Sequence, residues 1–213
     1  MIGQGFLAQH MHLTHKYGGS RTSLGASVHV RELPLNPYKD GLDSGYNFDD
    51  FKRFECLREL RFQSVLDVGS GPCQLKKWLD GVGVECTHEA FDIRSDALEN
   101  CDCVKHLQLP SGSYDPVCLF GTCGLRSRED NQKDIFRNLI RECLAITSGH
   151  LVFSVIMNVN FPRVVSYSEG ELTSLLEELN IKDAVCLRDI PNKEYTFIHK
   201  VNQYSALCSP DMS

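Results

Sequence analysis

Long apolar runs are missing from this sequence: no stretch approaches the roughly 20 residues that a membrane-spanning helix needs. Nor does the chain open with a basic stretch followed by an apolar core, the mark of an export leader. The expected compartment is therefore the cytoplasm, with no membrane partner. A basic excess is missing too. The formal charge is −6, from 22 Lys and Arg against 28 Asp and Glu, whereas a protein that coats nucleic acid gains affinity by neutralising phosphates. There is no CxxC pair, no internal repeat and no low-complexity segment. The ten cysteines lack zinc-ligand spacing, because Cys101-x-Cys103 has no matching second half. No metal is expected. Most of the thiols read as reduced and buried, as in Val117-Cys118-Leu119 and Val185-Cys186-Leu187, where they sit inside apolar strand-like runs.

What is present fits one large domain with a modest appendage in 213 residues. Residues 1–45 stand apart, rich in Gly, His, Ser and turn formers, with one strand-like stretch from Ala26 to Val30. They read as an N-terminal arm, residues 46–203 as the folded domain and 204–213 as a tail. His10, His12 and His15 lie in the arm without further ligands that would complete a metal site. The spacing predicts a helix from Asn47, capped by it, with Asp49 and Asp50 at the positive end of its dipole and Phe48, Phe51, Leu57 and Leu60 on one side.

From Ser64 the order becomes regular. Ser64–Val68 reads as a buried strand, followed by a Gly turn and a short helix over Leu75–Leu79. Further strands are expected at Cys86–Ile93, Tyr114–Phe120, His150–Ile156, Ala184–Arg188 and Tyr195–Lys200, the last two joined by Pro191-Asn192. Ser95–Asn100 reads as a short helical stretch. Asn131–Ile146 reads as an amphipathic helix with Ile135, Leu139, Ile140 and Leu144 on its apolar side, closed by Gly149. Ser168 and Glu171 form a capping box before a helix over Leu172–Leu179. Alternating strands and helices imply an α/β fold whose mainly parallel sheet is covered on both faces. Its ligand crevice then lies at the C-terminal ends of the strands.

Val65-Leu66-Asp67-Val68-Gly69-Ser70-Gly71 carries the chemistry. Gly69 and Gly71 let the backbone turn tightly and meet a ligand with no Cβ in the way. A dinucleotide fingerprint would place a small residue at Gln74, and a carboxylate at Asp67 sits badly beside a pyrophosphate. Asp67 suits a ligand carrying an ammonium group. An acid followed by alternating glycines resembles the first motif of the class I S-adenosylmethionine-dependent methyltransferases, and the similarity runs from about Ser64 to Lys200. It implies a three-layer Rossmann-like fold with a mainly parallel seven-stranded sheet and helices on both faces. It also implies S-adenosylmethionine as cofactor, held at Asp67, Gly69, Ser70 and Gly71. Asp92, followed by Ile93, stands where family members hold the ribose hydroxyls, and a carboxylate can accept from both hydroxyls of a diol.

Two departures from the family pattern are visible. Cys73 replaces the third glycine of the turn. The acid that meets the adenine amine would align near Cys103, so Asp102 or a backbone group takes that place. By the same resemblance Phe120 and Gly121 edge the cofactor, and the loop from Gly121 to Arg128 faces the methyl acceptor. Thr122 and Arg126 are substrate-binding candidates there, with Arg128 beside them. The alternative is that these arginines pair with Glu129 and Asp130. Tyr38, Tyr46 and His29 are acceptor-side candidates if the arm folds over the site as a lid.

The implied activity is methyl transfer to an acceptor, with a small molecule favoured and a nucleic acid or protein left open. Asn36-Pro37-Tyr38 lies before the core and lacks the second proline of an amino-methylating signature. Pro72-Cys73 is in the first turn, where a cytosine-type nucleophile would not sit. No general base stands out. The alternative is a non-catalytic methyltransferase-like module that binds a partner.

Overall fold

The computed structural model describes residues 28–32, 53–71, 73–92, 103–106, 108–121, 131–159, 165–189 and 193–201. Eight strands form one sheet in the order β1-β7-β8-β6-β5-β2-β3-β4. They are β1 (Val28–Glu32), β2 (Ser64–Val68), β3 (Thr87–Phe91), β4 (Val104–His106), β5 (Val117–Leu119), β6 (His150–Ile156), β7 (Ala184–Asp189) and β8 (Glu194–Lys200). Only β8 runs against its neighbours, β6 and β7. The mainly parallel α/β architecture expected from the alternation is what the chain adopts.

The strand count differs from seven. Val28–Glu32, from the segment read as the arm, pairs in parallel with Ala184–Arg188 of β7 and adds an eighth strand at that edge. This bears on His29, which aligns with Val185. β1 stands five places from β2 in the sheet, about 24 Å at the usual strand spacing. His29 is thus on the wrong edge to serve beside the glycine turn. Tyr38 and Tyr46 lie outside the described residues.

Among the described residues, three helices and one 3₁₀ segment cover the two faces. On one face α2 (Gln132–Ile146) and α3 (Glu169–Glu178) pack over Leu66, Val68, Leu119, Phe153 and Phe197. On the other, α1 (Gln74–Val82) and the 3₁₀ segment Arg53–Glu59 pack over Val65, Cys118, Val152 and Ile198. Strand residues therefore divide by parity, odd numbers of β2 to one layer and even numbers to the other, as a pleated strand buried on both faces requires.

The buried stripe of α2 is Phe136, Ile140 and Cys143, spaced i, i+4, i+7. Ile135 is 45% exposed, which corrects its assignment to the core side. Leu139 and Leu144 flank the stripe, partly buried. The helix is closed by Thr147, whose hydroxyl donates to the Cys143 carbonyl at 2.6 Å. Gly149 has a different task from closing it: a Cβ there would run into the Asp115 carboxylate, which accepts from the His150 N–H at 2.8 Å. The capping box stands as read, with Ser168 Oγ accepting from the Glu171 N–H and Glu171 accepting from the Ser168 N–H at 2.9 Å. The helical start at Asn47 and the stretch Ser95–Asn100 fall outside the described residues.

Three-residue β4 was not anticipated. It runs parallel to β3, and its His106 Nε2 lies 2.6 Å from Glu89 Oε2, which also accepts from the Tyr114 hydroxyl at 3.2 Å. These polar groups fasten a short edge that has little apolar surface to bury, since Val104 is exposed.

Candidate functional site

From β2 the chain moves outward through β3 and β4, then returns to β5 on the other side of β2. Such a reversal opens a crevice at the C-terminal ends of the two central strands. The ends that meet there are Asp67-Val68 of β2, Phe91-Asp92 after β3 and Phe120-Gly121 after β5.

The glycine turn is built by left-handed backbone at alternate residues. Gly69, Gly71 and Cys73 have φ of 72°, 51° and 53°. Glycine is favoured at all three because an L side chain is strained there by about 1 kcal/mol or more. Cys73 therefore keeps the turn geometry of a third glycine, and its side chain is buried against Ala90 with Cys103 alongside. Cys73 is disulfide-bonded. Among the described residues, Cys56, Cys86, Cys118, Cys143 and Cys186 are free thiols. The expectation of reduced, buried thiols holds for most of these and fails at Cys73.

β3 holds the turn. The Gly69 and Ser70 N–H groups donate to the Phe91 carbonyl at 2.7 and 3.2 Å, and the Gly71 N–H donates to Asp92 Oδ2 at 2.9 Å. Asp92 is thus fastened to the turn and buried, at 6% exposure. A Cβ added at Gly71 would meet no atom of the described residues within 4 Å.

Asp67 is 3% exposed and shares a sheet face with His88 of β3, itself 3% exposed. His88 Nε2 stands 3.5 Å from Asp67 Oδ2. Burial pushes the Asp67 carboxyl above its usual range, partly offset by His88 and reinforced by Asp92.

At β5, Phe120 is buried with its ring edge-on to Phe54, centroids 4.9 Å apart. The Gly121 N–H donates to Ser154 Oγ at 3.0 Å. Gly121 has φ 71°, and a Cβ there would lie 3.0 Å from Arg53 Nη1. Arg53 in turn faces Glu194 at 3.5 Å.

The fold thus gathers Asp67, Gly69, Ser70, Gly71, Asp92, Phe120 and Gly121 around one crevice. Ile93, Asp102, Thr122, Arg126 and Arg128 fall outside the described residues. Cys103 is placed differently from its expected role. It precedes β4, and the register Glu89↔Val104 sets it level with His88, well below the strand end that carries Asp92. The crevice end of β4 is His106, and Gln108 follows it, exposed. So short a strand leaves no periodic signal in the sequence by which its end could be placed. His88 and Arg53 were also missed. The period of two from His88 through Ala90 to Asp92 puts a histidine on the acid's face, but only the register reveals that it meets Asp67.

No protein-family model matches the chain, and no curated protein matches it. Solved structures do. The chain is similar to magnesium protoporphyrin IX methyltransferase from Synechocystis PCC 6803 with bound S-adenosylmethionine, at TM-score 0.54 and 12% identity over 78% of this chain and 88% of that one. It is similar to ribosomal protein L11 methylase from Lactobacillus delbrueckii, at TM-score 0.54 and 14% identity over 84% and 97%. A third is the pyocyanin biosynthetic protein PhzM, at TM-score 0.54 and 16% identity, of which this chain spans 56%. The architecture is accordingly the Rossmann-like fold of class I methyltransferases.

Proposed function

We propose that this chain, built on the class I methyltransferase fold, binds S-adenosylmethionine and transfers its methyl group to an acceptor, a small molecule rather than a nucleic acid or protein. The observation that carries this reading is the joined pair of Gly turn and acid: Gly71 donates to Asp92 at the crevice between β2 and β5. In this reading one Asp92 oxygen holds the turn while the carboxylate retains capacity for a ribose diol. Gly69, Ser70 and Gly71 admit the ligand's close approach, and Asp67 supplies negative charge for its ammonium. Ile93 would border the ribose and adenine. Gln108 replaces Cys103 and Asp102 as the candidate for the adenine edge, since a carboxamide can donate and accept in one plane.

A sulfonium methyl is already activated, so the protein's task is chiefly to position the acceptor in line. Phe120 and Gly121 would border the transferring group, with Thr122 and Arg126 on the acceptor side. The charge balance supports a small acceptor over nucleic acid. Cytoplasmic residence is part of the same proposal. Among the described residues no helix is long and apolar enough to cross a membrane.

Calorimetric titration with S-adenosylmethionine and S-adenosylhomocysteine tests the reading. Binding weakened by Asp67→Ala and by Asp92→Ala supports it and justifies an acceptor screen. No binding at millimolar ligand favours the non-catalytic, partner-binding module instead.

A further inference from the structure

A buried histidine normally satisfies at least one ring nitrogen, because an unsatisfied polar group in the interior costs about 1–3 kcal/mol. His88 satisfies neither. Both Nδ1 and Nε2 are buried without a hydrogen-bond partner, and among the described residues the charged group within reach is Asp67 Oδ2 at 3.5 Å. Asp67 is also buried. Two titratable side chains are therefore sealed together directly beneath the glycine turn.

Other groups share this face. They are Asp92 at the end of β3, Cys118 on β5, Cys86 ahead of β3, and Cys103 and Lys105 at β4. The exposed Lys76–Asp80 pair lies on α1. Cys73 carries no titrating thiol. Asp92 repels charge on Asp67.

Resting on the reading that the crevice takes S-adenosylmethionine, we propose that His88 is a positioning residue for the cofactor: it shares one proton with Asp67 in the free protein, and the pair releases that proton when the ligand's ammonium arrives. With the proton, the pair is neutral, as imidazolium and carboxylate or as imidazole and carboxylic acid. Without it, the pair is a single negative charge. A cationic ligand favours the second state, and low dielectric around the pair makes the preference strong. The proton leaves to solvent, no covalent bond is made, and charge balances as one cation replaces another. The unpartnered ring is what allows this, since no other acceptor or donor fixes its protonation state. S-adenosylhomocysteine keeps the ammonium and lacks the sulfonium, so it should release the proton equally.

The test is calorimetric titration of the full chain with S-adenosylhomocysteine, in buffers of differing ionisation enthalpy from pH 5.5 to 8.5. It is paired with NMR of the His88 ring in the free protein at fixed pH. Wild-type binding should release up to about one proton, with affinity rising as much as about tenfold per pH unit where release is complete. His88→Gln, which keeps the size and leaves only Asp67 to hold the proton, should move the pH range of that release below the wild-type one. In the free protein, Asp67→Asn should change the NMR chemical shifts of the His88 ring at fixed pH, from loss of the neighbouring charge 3.5 Å away. Tight wild-type binding with no proton exchange overturns the proposal and leaves the cofactor reading standing. Absence of binding at every pH overturns both. His88 ring shifts unmoved by Asp67→Asn overturn the coupling whatever the ligand does.

Discussion

Asp92 holds two jobs in the proposed site, and a pair of substitutions separates them. Its Oδ2 accepts from the Gly71 N–H at 2.9 Å while the side chain is almost fully buried. A hydrogen bond to a charged acceptor contributes about 1.5–3 kcal/mol, so Asp92→Ala should destabilise the fold by about 2 kcal/mol. Asp92→Asn retains an acceptor oxygen of the same reach, and should cost about 1 kcal/mol or less. Ligand binding follows a different order. A carboxylate accepting from both hydroxyls of a ribose diol contributes about 3 kcal/mol, roughly a hundredfold in affinity, and alanine loses all of it. Asparagine accepts at one atom only and without charge, so about tenfold should be lost. Urea unfolding and calorimetric titration with S-adenosylhomocysteine read the two effects independently. The reasoning is refuted if Asp92→Ala binds within about threefold of wild type while unfolding earlier, for the acid would then only brace the turn.

Three further outcomes follow from packing and charge. Phe136→Ala should cost about 3–5 kcal/mol in urea unfolding, and Ile135→Ala, one residue away, within about 0.5 kcal/mol, because only the first is buried; equal losses would contradict the stripe. Gly149→Ala should destabilise by about 1–3 kcal/mol or more by pushing a Cβ into the Asp115 carboxylate, and an unchanged melting temperature would show that β5 and β6 yield there. The Lys133 ammonium, then the Ser168 N–H, holds the Glu171 carboxyl down at about 2 from 4.5. That stability is complete above pH 4.5 and is lost as pH falls through about 2. Glu171 is 51% exposed, so solvent screening limits the effect to about 1 kcal/mol or less. Glu171→Gln should lower the melting temperature at pH 7 by about 2–4 °C and leave it unchanged near pH 2, and a gap that persists in acid would rule out the charge as its source.

Much of the fold was legible because its strands are buried on both faces and bounded by turns. Ser64–Val68 and His150–Ile156 match the observed strands end to end, and the Ser168 box marks the start of α3. Helix faces were harder. Ile135 and Phe136 both fit a 3.6-residue period, and only the neighbouring sheet decides which one is inward. Short and edge strands were harder still. Val104–His106 depends on polar ties to β3, which no local pattern announces. Val28–Glu32 was visible as strand-like, but its place beside β7 follows from pairing across most of the chain. At the site, the acids and glycines were readable because their spacing is local. His88 and Gln108 were not, since their significance comes from register between strands.

The same edge strand has a bearing on how the molecule is made. β1 and β7 lie about 150 residues apart in sequence, and long-range parallel pairing is slow because the loop must close before its contacts stabilise anything. During synthesis β1 emerges well before β7 and lacks this partner until β7 has left the ribosome. β7 can meanwhile join β8 and complete the other seven strands, leaving the backbone of its Val185-Cys186-Leu187 stretch open along one side. An open strand edge is a template for pairing with another chain. The N-terminal strand is thus a late seal on the newborn protein, and its docking closes the interval in which one copy is exposed to the next.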